Sequence, residues 1–351
     1  MDRFVQLHLL TSHAPANLNR DDLGRPKTAI MGGATRLRIS SQSLKRAWRT
    51  SEVFAQALAG HLGTRTKEMG VRVCTRLLEA GAKDKNAREW ARAIAGVFGT
   101  LESTKDGGEE LDLRIKQLVH FSPEEMQAID DLVTKLTERG STPTDEELEL
   151  LREGSIAADI AMFGRMLASK PRFNVEAAVQ VAHAITVHKV AVENDFFTAV
   201  DDLNDGQDNI GAGHMGETEF GAGLFYQYIC IDRQLLLENL GGREDLSQRA
   251  IAALVEAAAK VSPTGKQASF ASRARASYIF CERGDVQPRS LAVAFLDPVS
   301  DRSVLASAIE KLTETGTRMA KAYGDEPAHV AVMDCHAGTG SLAEIIACAT
   351  E

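Results

Sequence analysis

The chain has 351 residues, of which 44% are apolar and 25% are charged, and its formal net charge is −9. This composition is that of a folded globular protein and excludes a disordered tail. No stretch approaches the roughly 18 consecutive apolar residues that a membrane span needs, and the first residues do not fit a secretory signal, so we expect a cytoplasmic protein without a membrane partner.

The charge is unevenly distributed along the chain. Residues 1–50 carry nine Lys or Arg side chains and three acidic ones, a net charge of plus 6, so the rest of the chain sums to minus 15. A basic surface on an acidic protein is typical of a protein that binds a polyanion at one place. The five cysteines form no C-x-x-C pair, and we predict no disulfide framework, metal site or cofactor.

The first predicted elements form the basic segment. Residues 5–10 read as a strand, and residues 18–33 as a turn-rich connection that carries Arg20, Arg25 and Lys27. The alternation in RLRIS, residues 36–40, predicts a strand that places Arg36, Arg38 and Ser40 on one face. Because Leu37 and Ile39 take the other face, we expect the two arginines to share a surface.

A helix is predicted directly after this strand. Ser40 or Ser41 is the candidate N-cap, and Leu44, Ala47 and Trp48 form an apolar stripe. The opposite side of the helix carries three cations, Lys45, Arg46 and Arg49. Strand arginines, a serine-capped helix N-terminus and a basic helix face together predict a phosphate site. The alternative is a solvated amphipathic helix.

Beyond the basic segment the pattern changes twice. Residues 60–190 show apolar spacings of three and four and predict a helical insertion, with Ser122, Thr144 and Asn174 as caps. Residues 193–221 hold eight acids and no Lys or Arg, and predict a long loop or hairpin. Strands follow at 218–231, 277–281, 290–296 and 329–334, and helices at 234–240, 247–261 and 301–324. Sheet segments on both sides of a helical block indicate an α+β fold.

Several single residues allow a structural or a functional interpretation. The spacing around Met166 favours a core position, whereas Met215 lies in a polar loop and belongs to no apolar stripe. His183 and His188 are five residues apart, which does not fit helical chelation of one metal, and we expect structural histidines. The pairs Asp21/Asp22 and Asp201/Asp202 could hold Mg²⁺ for RNA cleavage; for Asp22 a turn-capping role is favoured.

Seven motifs carry a resemblance to one family. In chain order they are LNRDDLG, RLRISSQSLKRAWR, AMFGRM, AHAITVHKV, FFTAVDDL, HMGETEFGAGLFYQY and LLLENLGG. Together they resemble the CasC family, the backbone subunit of the type I-E CRISPR surveillance complex Cascade. The match is most specific in residues 17–49 and 194–242, and it is weak in residues 60–150 and after residue 300.

The resemblance implies a palm built on a modified RNA-recognition (ferredoxin-like) fold, helical fingers and a thumb β-hairpin. On this chain the palm would comprise residues 1–59 and 223–351, the fingers 60–192 and the thumb 193–222. The implied function is a non-catalytic subunit that oligomerises along a crRNA guide and presents its bases for pairing with target DNA in antiviral defence. Neighbouring copies and other Cascade subunits are the implied protein partners. A metal-dependent ribonuclease that uses Asp21 and Asp22 is the alternative.

The resemblance also implies which residues contact RNA. The guide backbone would be held by Arg20, Lys27, Arg38, Ser40, Ser41, Gln42, Lys45 and Arg49, to which the predicted phosphate site adds Arg36 and Arg46. The thumb residues His214 and Met215 would press between bases, and Met166 would lie against a base from the finger side. Lys266 belongs to a basic loop, residues 262–275, that could also contact RNA and that resembles the family only through its GKQ sequence.

Overall fold

The computed structural model describes residues 2–103, 111–151, 157–199 and 214–351. In these ranges the protein is a mixed α/β structure with an antiparallel sheet and eleven α-helices. The chain divides into two compact units. Unit 1 comprises Met1–Phe54, Gln180–Ile231 and Ile251–Glu351, and unit 2 comprises Ala55–Val179 and Asp232–Ala250. No helix among the described residues has both the length and the apolar character needed to cross a membrane.

The elements are numbered in chain order. The strands are β1 (Phe4–Ala16), β2 (Thr28–Met31), β3 (Ala34–Ile39), β4 (Thr64–Thr66), β5 (Val119–Phe121), β6 (Val179–Val181), β7 (Ala184–Thr186), β8 (Glu193–Ala199), β9 (His214–Asp232), β10 (Ala276–Gly284) and β11 (His329–Asp334). The helices are α1 (Ser41–Arg49), α2 (Glu52–Ala57), α3 (Met69–Glu79), α4 (Asp84–Phe98), α5 (Pro123–Arg139), α6 (Ala158–Phe163), α7 (Arg233–Asn239), α8 (Glu244–Lys260), α9 (Gln267–Phe270), α10 (Val304–Tyr323) and α11 (Leu342–Thr350).

The main sheet has the strand order β11-β10-β1-β9-β7-β3-β2, and β6 and β8 also pair with β9. β1 pairs antiparallel with β10 from Phe4 opposite Gly284 to Thr11 opposite Ala276. The predicted strands at residues 5–10, 218–231, 277–281 and 329–334 are therefore confirmed, although β1 and β9 are longer than expected. The turn-rich connection contains one strand that the sequence did not predict, β2, which forms a hairpin with β3.

Two helices begin at the N-caps that the sequence predicted, although the first, expected to continue to about residue 59, ends at Arg49. In α1, the Ser40 hydroxyl accepts the Ser43 N–H, and the buried stripe consists of Leu44, Ala47 and Trp48. In α5, Ser122 and Glu125 form a capping box and Gly140 ends the helix with a φ of 68°. A residue without a Cβ adopts this left-handed conformation at little cost, which explains the glycine.

Several other predicted elements are wrong. Residues 175–190 were expected to be helical, but they contribute the short strands β6 and β7 to the sheet. Residues 290–296 were expected to be a strand and instead contain a 3-10 helix, Ala292–Phe295. Thr144 and Asn174 cap no α-helix. Alanine-rich apolar spacing is compatible with a helix in isolation, but pairing with β9 determines the outcome in the folded chain.

Unit 2 has its own hydrophobic core between α3, α4 and α5. Met69, Trp90 and Phe98 are among its buried side chains. Arg165 and Glu125 form a buried ion pair beside this core, with 2.7 Å between the guanidinium and the carboxylate. Arg165 also donates to the backbone carbonyls of His120 and Phe173. Each charge is thus compensated, as burial requires.

A buried polar network crosses the sheet of unit 1. The His8 ring contacts the Tyr226 hydroxyl through Nδ1 at 2.9 Å and the Glu282 carboxylate through Nε2 at 3.2 Å. Arg289 donates to both oxygens of Glu282, at 3.0 and 2.8 Å. Desolvation lowers the pKa of His8 despite the contact with Glu282. A neutral His8 with its proton on Nε2 satisfies every partner, since the Tyr226 hydroxyl can then donate to Nδ1.

We predict that acid destabilises unit 1 through a second buried histidine, His13. Its ring packs edge-on against Phe225, and burial lowers its pKa to about 4. Because the unfolded side chain titrates near 6.5, the unfolded state binds more protons below that pH. The contribution of neutral His13 to the free energy of unfolding is therefore fully present above about pH 6.5 and is lost as the pH falls towards 4. Between pH 7.5 and 5 this loss amounts to about 2 kcal/mol.

The measurement is the free energy of unfolding in urea at pH 7.5 and pH 5. His13→Gln, which cannot take up a proton, should reduce the difference between the two values by about 2 kcal/mol. The exposed His336 provides the control, and His336→Gln should leave the difference unchanged. If His13→Gln retained the full pH dependence, the loss would have another origin, such as His8, whose lowered pKa acts in the same direction.

Candidate nucleic-acid interface

The loop that follows β1 is held by its own polar side chains. Asn17 donates from Nδ2 to the Gly24 carbonyl at 2.9 Å. Asp21 Oδ1 accepts the N–H groups of Leu23 and Arg25, each at 2.9 Å. Asp21 therefore caps this turn, the kind of role that the sequence analysis favoured for Asp22. The loop presents Arg20 and Arg25 as exposed side chains and Lys27 as a half-buried one.

Asn19 joins this loop to β3 and α1. Its carbonyl accepts the Lys27 N–H at 2.9 Å, and its side-chain Oδ1 accepts the Ser40 N–H at 2.8 Å. The Lys27 carbonyl in turn accepts the Arg38 N–H at 2.8 Å. The structure thus brings Lys27, Arg38 and the cap of α1 together within unit 1. These three features were predicted from the sequence, whereas Asn19, although it lies in the LNRDDLG motif, was given no role.

The first turn of α1 is suited to an anion. It contains no acidic residue, and Ser41 and Gln42 occupy its first two positions. Backbone N–H groups at a helix N-terminus carry partial positive charge, which favours a phosphate. Lys45 lies one turn further on, and burial lowers its pKa. Arg46 is exposed and Arg49 is half-buried, and both lie in the last turn, on the side opposite the buried stripe as predicted.

Arg36 is a correction to the predicted site. The side chain is fully buried. Its guanidinium donates to the carbonyls of Thr186 at 2.8 Å, Phe295 at 2.9 Å and Leu296 at 3.4 Å. The expectation that Arg36 shares an accessible surface with Arg38 is wrong, because the segment at 295–296 covers this end of β3. Arg36 is a structural residue and is removed from the candidate interface.

The basic loop at 262–275 adjoins the same surface. Gly265 packs so closely on the backbone of Asn17 and Leu18 that a Cβ at this position would clash with the Leu18 carbonyl. Lys266 follows with a φ of 52° and is exposed. On the far side of Lys266, the Phe270 ring lies 6.1 Å from that of Phe220 on β9. Lys266 is thereby placed beside the β1–β2 loop of unit 1.

The predicted hairpin is present where the structure describes it. β8 and β9 pair antiparallel from Glu193 opposite Phe220 to Ala199 opposite His214. Its tip, residues 200–213 with Asp201 and Asp202, lies outside the described residues, as does the His214 side chain. Met215 is 64% exposed, and the neighbouring strand presents Phe196 and Phe197 at 60% and 43%. No role was predicted for these two phenylalanines, although consecutive aromatic residues in an acidic segment were a usable signal.

Met166 does not occupy the core position that its spacing favoured. α6 ends at Phe163, and Gly164 leaves the helix with a φ of 79°. Met166 is consequently 77% exposed on unit 2. Its contact with a base stays a prediction.

The two histidines near β7 differ in their surroundings. His188 is structural as predicted, because its Nε2 accepts the Leu224 N–H at 3.2 Å and its Nδ1 contacts the Lys189 carbonyl at 2.9 Å. His183, by contrast, is exposed and lies 2.8 Å from Arg38, measured from Nδ1 to Nη1. The structural role predicted for His183 rested on its spacing from His188, which carries no information about Arg38.

Comparison with solved structures gives the class of protein. One similar chain comes from a structure described as "CRISPR RNA-guided surveillance complex, pre-nicking"; it is 31% identical, the match covers 99% of this chain and 100% of that one, and the TM-score is 0.83. A second, from a "CRISPR RNA-guided surveillance complex", is 27% identical over 98% of both chains with a TM-score of 0.72. By fold, this protein is similar to subunits of such complexes.

The family follows from the sequence itself. The model of the CT1975-like protein family matches residues 5–348, and the chain belongs to this family. The resemblance to CasC-type Cascade subunits is thereby confirmed. Among curated protein sequences none matches significantly.

Proposed function

We propose that the protein is a non-catalytic backbone subunit of a type I-E Cascade complex that oligomerises along a crRNA guide. The observation that carries the proposal is the hydrogen-bonded junction of the β1–β2 loop, β3 and α1 at Asn19, which gathers Lys27 and Arg38 beside the N-terminus of α1. These groups bind phosphate without distinguishing bases. The solved complexes with similar subunits are described as RNA-guided.

The proposed palm, fingers and thumb each correspond to a part of the described structure. The order β10-β1-β9-β7 is the 4-1-3-2 order of a ferredoxin-like sheet, which supports an RNA-recognition palm in unit 1. The helical core of unit 2 is the proposed finger region, and β8 with β9 the proposed thumb. Arg25 pairs with Glu219 on β9 at 3.3 Å, so the base of the thumb adjoins the proposed RNA surface.

The protein partners follow from the same proposal. Neighbouring copies and other Cascade subunits would cover the exposed apolar side chains of the thumb, while target DNA would reach the protein only through pairing with the guide. Phosphate contacts along α1 and the β1–β2 loop leave the base edges available for this pairing.

We predict that the purified complex contains one defined RNA species. The protein would be purified with its native partners, and the extracted RNA sequenced. The proposal expects spacer sequence flanked by repeat sequence. Heterogeneous RNA, or no RNA in a complex that contains all partners, would refute it.

A second measurement addresses catalysis. Asp21 accepts two backbone N–H groups, and a carboxylate held in this way supports a role in the turn rather than in metal binding. We predict that end-labelled RNA stays intact when it is incubated with the protein and Mg²⁺. Cuts at a fixed interval that disappear in Asp21→Ala or Asp22→Ala would establish the ribonuclease instead.

A further inference from the structure

The contact between Arg38 and His183 determines which ring nitrogen of the histidine carries the proton. Arg38 Nη1 lies 2.8 Å from His183 Nδ1. A guanidinium has only donors, so Nδ1 must be the acceptor and carries no hydrogen. The ring is therefore neutral, and its proton is on Nε2, where it is available to a further acceptor.

The charges around His183 favour this neutral form. Loss of hydration, followed by the charges of Arg38 and Lys27, lowers the pKa of His183. Arg38 on β3 and Lys27 in the β1–β2 loop are the charged groups that act on the ring, and both are cations. Arg38 and Lys27 carry like charges, and an anion bound beside the neutral His183 ring would relieve their repulsion.

The backbone keeps these three side chains together. β3 pairs with β7 so that Arg38 lies opposite Ile185 and Ile39 opposite Ala184, which brings His183 to the edge of the same ladder. The Lys27 carbonyl accepts the Arg38 N–H at 2.8 Å. All three side chains are at least partly accessible. Groups held in this way lose little conformational freedom when a ligand binds.

We infer that Lys27, Arg38 and His183 form one cradle for a single phosphodiester of the bound RNA, in which His183 positions the Arg38 guanidinium and donates its Nε2–H to the anion. Arg38 and Lys27 supply the positive charge, and His183 fixes the orientation of the Arg38 guanidinium. The inference rests on the proposed function and adds to it a residue that acts chiefly through Arg38.

The experiment is a double-mutant cycle on RNA affinity. The full chain would be titrated at pH 7.5 with a labelled single-stranded RNA, for the wild type, His183→Ala, Arg38→Ala and the double variant. We expect losses of about 5-fold for His183→Ala and about 10-fold for Arg38→Ala, with the double variant at most about twofold weaker than Arg38→Ala alone, because only the Nε2–H contact is then still to be lost. His183→Asn keeps an acceptor near the position of Nδ1 and should stay within about twofold of the wild type.

Matched controls separate this role from a merely structural one. The exposed His336 lies elsewhere in unit 1, and His336→Ala should bind RNA as the wild type does. Imidazole ¹⁵N spectra should show His183 as the neutral Nε2–H form, with a pKa that rises in Arg38→Ala. Multiplicative losses in the double variant, or wild-type affinity in His183→Ala, would overturn the inference while leaving the proposed function intact. Absence of RNA binding by the wild type would overturn both.

Discussion

Replacing Lys45 and Arg49 together by glutamate is expected to weaken RNA binding about 100-fold at about 0.1 M salt. Both side chains are half-buried and lie outside the buried stripe formed by Leu44, Ala47 and Trp48. The substitutions remove two cations from the proposed phosphate path and add two anions. Because neither side chain belongs to the buried stripe, the fold should tolerate the change.

The salt dependence of the affinity identifies the cause of this loss. Each phosphate contact on a single strand contributes about 0.7 to the slope of log K against log salt, so the slope should become shallower by about 1.4. A matched control is the pair Arg318→Glu and Lys321→Glu on α10, which makes the same change in net charge. Arg318 is 77% exposed and pairs with Glu314, one turn earlier on the same helix. The control should leave the affinity and its slope nearly unchanged.

Comparison across RNA sequences decides between two interpretations of the same variant. If α1 binds phosphates, affinity falls alike for every sequence, because phosphates carry no sequence information. A loss confined to particular sequences would mean that Lys45 and Arg49 contact bases. An unchanged affinity for all sequences would leave α1 as the solvated amphipathic helix that the sequence alone allowed.

The elements that the sequence predicted well are those whose signals are local. α1 follows from a serine cap and an apolar stripe, and the start of α5 from the Ser122 cap. Such interactions act within four residues of the chain, so a short window contains them. The basic surface was predictable for the same reason, since most of its cations lie within one stretch of 30 residues.

The elements that were mispredicted depend on distant parts of the chain. Residues 184–186 form β7 only because β3 and β9 are present on its two sides. The apolar spacing of this segment is equally compatible with a helix, and no local signal records the two partners. Residues 290–296 have the composition of a strand, but they do not join the sheet. The carbonyls of Phe295 and Leu296 instead accept hydrogen bonds from Arg36.

In the candidate site, too, local signals were predictable from the sequence and long-range contacts were not. Alternation along β3 correctly separates Leu37 and Ile39 from the arginines, but it assigns Arg36 and Arg38 the same environment. The difference between them arises from the segment at 295–296, more than 250 residues further along the chain. The role inferred for His183 likewise depends on a contact across 145 residues.

Arg36 and Arg38 therefore allow the second prediction, in which two arginines of one strand have opposite effects. Arg36→Met removes the donor to three backbone carbonyls, at Thr186, Phe295 and Leu296, in a position without access to water. Buried acceptors left without a partner are costly, and we expect the free energy of unfolding to fall by about 3 kcal/mol. Arg38→Gln, at an accessible position, should change stability by less than about 0.5 kcal/mol.

The order reverses when RNA affinity is measured instead of stability. Arg38→Gln should weaken binding about 10-fold, since it removes a charge from the proposed phosphate path. Arg36→Met, assayed at a temperature where it remains folded, should bind nearly as the wild type does. Urea unfolding and RNA titration of both variants supply the four values. Equal effects of the two substitutions on both quantities would mean that the segment at 295–296 does not separate Arg36 from the proposed RNA surface.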